Sequence, residues 1–197
     1  MDPGSILILD LTIHAFTLVP LLLTLGILFK RWWESVDGEG KRDMVRFLIF
    51  FMILNWVLGT IWSFIRNIVT GNRTIPLEER IEVSHMFVAA IGATGISLIA
   101  YLYKRESLYF ASWFFFLGGM IYYTLTGSTF VVRFFMYVVS FVYVGYFWYA
   151  GIKHRDDKLT GLALFFTTAF FASAGQLPIP ADLTVRVIQA VYGLLYA

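Results

Sequence analysis

The chain has no cysteine. Disulfides, thiolate metal sites and cysteine nucleophiles are therefore excluded together. Charge is scarce too: Asp, Glu, Lys and Arg make up 14% of the 197 residues, against about 25% in an ordinary soluble domain. The net charge of +2 and the lack of any long basic block give no reason to expect a nucleic-acid partner. Neither G-x-S-x-G nor H-E-x-x-H occurs, and Gly118-Gly119 lacks any phosphate-loop context, so no enzyme class is indicated. The first residues, MDPGS, lack a basic stretch, and Phe29-Lys30-Arg31 follows the first apolar run where a cleavage site would need small residues. That run is expected to be retained as a span.

What the chain does have is apolar length. It is 59% hydrophobic with a mean hydropathy of +0.75. Seven continuous apolar segments can be marked: Ser5–Phe29, Met44–Ile65, Ile81–Tyr103, Leu108–Leu125, Ser128–Ile152, Leu159–Gly175 and Ala181–Ala197. Each approaches the roughly 20 residues that cross a bilayer as a helix. Barrel strands would be shorter and alternating, so helices are the expected form. The reading is an all-α integral membrane protein: one polytopic domain over residues 1–197, a bundle of about seven transmembrane helices, and no soluble domain. Short connections such as Lys104–Ser107 and Thr126-Gly127 imply that successive helices are antiparallel neighbours. The two prolines of Gln176–Pro180 are expected to separate the last two helices, with Asp182 as the N-cap of the seventh. From there to the chain end is about 24 Å of helix, which is short. Six spans plus a re-entrant or interfacial C-terminal helix is the alternative.

Basic residues set the expected orientation. With the N-terminus outside the cell membrane, the loops at 30–43, 104–107 and 153–158 are cytoplasmic. They and the adjoining helix ends hold all five lysines with Arg31, Arg42, Arg46, Arg105 and Arg155, ten cations against five on the other side. Trp32, Trp33 and Trp148 suit the inner interfacial belt.

This orientation gathers the intramembrane polar residues into one layer. Asp10 and His14 lie in the outer half of the first span, four residues apart on one face. Arg66 closes the second span, Glu82 and His85 open the third, Arg133 opens the fifth, and Gln189 lies towards the outer end of the seventh. Asn55 falls near the midplane on a stripe with Gly59, Ser63 and Arg66. His85, Ala89, Ala93 and Ser97 form a small-residue face that should turn into the bundle.

Three roles suit this layer. It can be a structural clasp, with Asp10 paired to Arg133 or Arg66. It can be an outward-facing, proton-responsive cavity of a small transporter or channel-like protein, its solute or ion pathway lined by Asp10, His14, Asn55, Arg66, His85 and Arg133. In that role no cofactor is needed. Or it can be a redox site in which Asp10, His14, Glu82 and His85 hold a transition metal, or the two histidines a haem. A non-catalytic subunit of a larger membrane complex, or a homo-oligomer, would also suit a chain of short loops in a lipid bilayer.

Overall fold

The computed structural model describes residues 3–37, 40–71, 81–173 and 179–196. Among the described residues are seven α-helices: α1 (Pro3–Trp33), α2 (Met44–Thr70), α3 (Val83–Leu102), α4 (Ala111–Thr126), α5 (Phe130–His154), α6 (Asp157–Ser173) and α7 (Ile179–Tyr196). Each of the seven apolar segments became one helix. Five stretches, in α1 to α5, are long and apolar enough to cross a membrane.

Local chemistry sets most ends. The Asp43 carboxylate accepts from the Val45 and Arg46 amides at 2.9 and 3.2 Å and starts α2. Gly71 (φ +64°) and Gly127 (φ +70°) take the left-handed conformation that stops α2 and α4. Asp156 Oδ1 accepts from the amides of Lys158 and Leu159 at 2.9 and 3.2 Å and starts α6. α1 runs past Phe29 to Trp33, with Lys30 and Arg31 at the negative end of its dipole.

α6 and α7 are separate helices, as expected, although Pro180 lies inside the first turn of α7, where its missing N–H has no helical acceptor to lose. One expectation fails there. With the start at Ile179, Asp182 stands within the helix and not at its N-cap. Pro178 and Gln176 lie outside the described residues, as do Gly38 and the Asn72–Arg80 connection.

Six helices close into a ring in the order α1, α2, α3, α5, α6, α7 and back to α1. α4 lies outside the ring against α3 and α5. Its outer face, with Phe114 at 72%, Phe115 at 74% and Leu125 at 79% exposure, is apolar and suited to acyl chains. α3 is the most enclosed helix, as its small-residue face requires: Ala89 and Ala93 are fully buried, and Gly92 and Gly95 let α5 approach. A Cβ on Gly95 would stand 2.7 Å from Cγ of Tyr143. α3 is also tied to the α4 side by hydroxyls. Ser97 donates to the Tyr109 carbonyl at 2.6 Å, and Ser112 donates to the Ala93 carbonyl at 2.9 Å. Of the Gly118-Gly119 pair, Gly119 is buried against Val131 and Val132, whereas Gly118 faces outward.

Candidate functional site

The corner between α2 and α3 is built around a buried ion pair. Nη2 of Arg66, one turn from the end of α2, stands 3.2 Å from Oε1 of Glu82, the residue before α3. Their side chains are 12% and 8% exposed, so this is a pair largely withdrawn from water. Arg66 Nη1 also donates to Oδ1 of the buried Asn67 at 3.3 Å. His85 completes the corner. Its Nδ1 accepts from the Glu82 backbone N–H at 3.0 Å, so a neutral imidazole carries its proton on Nε2.

The other expected site residues are distributed around the ring. His14 is 3% exposed on α1, one turn from the buried Thr17, whose hydroxyl donates to the Ile13 carbonyl at 3.0 Å. The side chain of Asp10 lies outside the described residues. Asn55 is 7% exposed and donates from Nδ2 to the Phe51 carbonyl at 2.8 Å. It lies about 16 Å along α2 from Arg66, counting eleven residues of helical rise. Arg133 is half-buried in the first turn of α5, with no ion pair among the described residues. The structure therefore brings Arg66, Glu82 and His85 together. It sets His14 on a helix that packs on α2 and α7, and Arg133 on one that packs on α3, α4 and α6.

Arg66 reaches Glu82, which stands directly before α3 and is delivered to the end of α2 by the chain itself, while the expected pairing with Asp10 falls on a side chain outside the described residues. The Arg66–Glu82 pair bears on the metal reading. A metal on Glu82 would compete with Arg66 for the charge of one carboxylate, of which Arg66 engages Oε1 and Oε2 is buried without a hydrogen bond among the described residues. Among the described residues no three His, Cys, Asp or Glu side chains group closely enough to hold a metal ion.

Buried polar groups divide by depth. In the half of the bundle towards the lysine-bearing loops, the buried hydroxyls of Thr24, Ser97 and Ser112 donate to helix carbonyls. At mid-depth, near the centres of α5 and α6, the bundle is filled by aromatic rings. Phe166 stacks on Phe147 at 6.0 Å and meets Tyr143 edge-on at 5.4 Å, and Phe147, Phe165 and Phe166 have at most 1% exposure. The opposite half holds His14, Arg66, Asn67, Glu82, Ser84 and His85, contributed by α1, α2, α3 and the residue that begins the α3 turn. Gln189, near the middle of α7, is 2% exposed with its Nε2 unbonded, and Ser84 Oγ is buried and unbonded as well. Asn67 and Ser84 are additions to the sequence reading. Their polarity at helix ends looks ordinary for interfacial residues, and only the folded bundle shows that they are covered.

Neither a protein-family model, nor a curated protein, nor a solved structure matches this chain.

Proposed function

We propose that the chain is a small multi-pass transporter of the cell membrane, with a proton-responsive polar interior in the half away from its lysine-bearing loops. The observation that supports this reading is the division by depth. Imidazole, guanidinium, carboxylate and amide groups are enclosed in one half, and an aromatic plug at mid-depth separates them from the other. Buried ionisable groups in a membrane are costly and commonly line ion or proton paths. The aromatic plug argues against a standing channel. It suits a carrier held closed on the basic side, in a state where the polar half is occluded.

In this reading the N-terminus faces outside, consistent with the ten-to-five distribution of basic residues. Asp10 and His14 are the proton-responsive groups, since a carboxylate and an imidazole can each take up and release a proton. Arg133 supplies a positive contact for an anion or for the Asp10 carboxylate. Arg66 and Glu82 hold the α2–α3 corner in place beside the pathway, and Asn55 marks its inner limit.

The test is proton entry into vesicles containing the purified protein and a trapped pH-sensitive dye, after an imposed pH gradient. Wild type is expected to acidify the lumen faster than protein-free vesicles, and Asp10→Asn and His14→Ala to fall back to the protein-free rate. Equal rates for wild type and both variants would overturn the proposal.

A further inference from the structure

We infer that the cleft between α1, α2 and α6 at the basic end of the bundle binds the phosphate of an anionic membrane lipid. The cleft has a volume of about 330 Å³ and is lined by Leu28 and Arg31 of α1, Arg46 and Ile49 of α2, and Lys158 of α6. It exists because α6 packs on α5 and α7, leaving its first turn apart from the α1–α2 hairpin. Three helices thus each contribute one cation to one concavity.

The charges are arranged to receive an anion. Arg46 is braced: its Nε lies 3.2 Å from Asp43 Oδ2, and its Nη1 donates to the Arg31 carbonyl at 3.3 Å. The Arg31 and Lys158 side chains are exposed and make no ion pair among the described residues. The nearby Asp156 carboxylate is occupied in capping α6. Asp157, in the first turn of α6, is exposed. α2 and α6 also direct their positive N-terminal ends here, with Arg46 and Lys158 in their first turns. A phosphate matches this set, since guanidinium offers forked donors and ammonium a point charge.

The apolar floor selects the carrier of that phosphate. Leu28 and Ile49 are 8% and 6% exposed and lead directly into the apolar core. Beside them lies an aromatic collar in which Trp32 stacks on Phe50 at 6.1 Å, the kind of feature that sits at headgroup level. Basic pockets between helices at this depth suit anionic headgroups. The proposal rests on the membrane placement of the helices and is independent of transport, so a negative flux experiment leaves it standing.

The experiment titrates the full chain in a neutral detergent with short-chain phosphatidylglycerol, phosphatidylcholine and inorganic phosphate, and counts bound molecules by native mass spectrometry. Phosphatidylglycerol is expected to bind, with phosphatidylcholine and inorganic phosphate far weaker. Affinity should fall about fivefold in Arg31→Gln and again in Lys158→Gln, and stay unchanged in Lys104→Gln. Both cleft residues are exposed, so these variants should fold, and helical circular dichroism checks that they do. Equal binding of the two lipids, or full phosphatidylglycerol binding by the Arg31→Gln, Lys158→Gln double variant, would overturn the proposal. Inorganic phosphate binding as tightly as the lipid would also overturn it, in favour of a soluble phosphate site.

Discussion

At the scale of single residues, Arg66 and Glu82 make the sharpest prediction. Two charges that face each other with side chains 12% and 8% exposed have already lost most of their hydration. Removing one leaves the other buried without its counter-charge, which typically costs about 3–5 kcal/mol. Glu82→Ala is therefore expected to lower stability in detergent by that order. Replacing both partners with apolar residues, Arg66→Met with Glu82→Leu, should restore much of the loss. A double-mutant cycle on unfolding midpoints checks this, and equal effects of the single and double variants would contradict the pairing. His85→Ala removes the acceptor for the Glu82 backbone N–H and should cost at least about 1 kcal/mol. The sequence shows Arg66, Glu82 and His85 as polar residues at helix ends. It does not show who meets whom, because that depends on how the helices pack. Asp10, at similar depth and of opposite charge, is an equally good partner for Arg66 in the sequence, and its side chain lies outside the described residues.

At the scale of elements, the prediction concerns two glycines. Gly95 in α3 faces the ring of Tyr143, and an added methyl would sit at 2.7 Å from its Cγ. Gly95→Ala must push α5 away and is expected to cost about 1–3 kcal/mol. Gly118 in α4 has nothing within 4 Å, so Gly118→Ala should be neutral or gain up to about 1 kcal/mol in helix propensity. Comparing the two by thermal unfolding separates packing from propensity, and equal effects would refute the close α3–α5 contact. Much at this scale is legible beforehand. Continuous apolar runs give seven helices, and the Ala89, Ala93, Ser97 spacing gives the buried face of α3. What fails is the start of α7, where Asp182 reads as the N-cap although the helix already begins at Ile179. The identity of helix neighbours is not legible either. Small residues in α3 announce a close partner, but nothing in the chain says that α5 fills that place while α4 stands outside the ring.

At the scale of the whole molecule, the central claim is an asymmetry between two halves of one bundle. Sequence placed the ionisable residues in one half, and this follows from positions along the helices alone. The aromatic plug at mid-depth was not legible. Phe147, Phe165 and Phe166 look like the other phenylalanines of the chain, many of which face outward as lipid contacts would, and only packing distinguishes the buried ones. The absence of cysteine makes the asymmetry directly measurable, because each introduced thiol is the only one. The decisive measurement is the reactivity of Thr17→Cys, Ser84→Cys and Phe166→Cys towards a membrane-impermeant maleimide applied to intact cells. Transient opening of the polar half predicts labelling of Thr17→Cys and Ser84→Cys from outside over minutes, and none of Phe166→Cys from either face. Thiols at Thr17 and Ser84 that stay unlabelled from both faces, or that react only from the face carrying Lys104, would contradict the account.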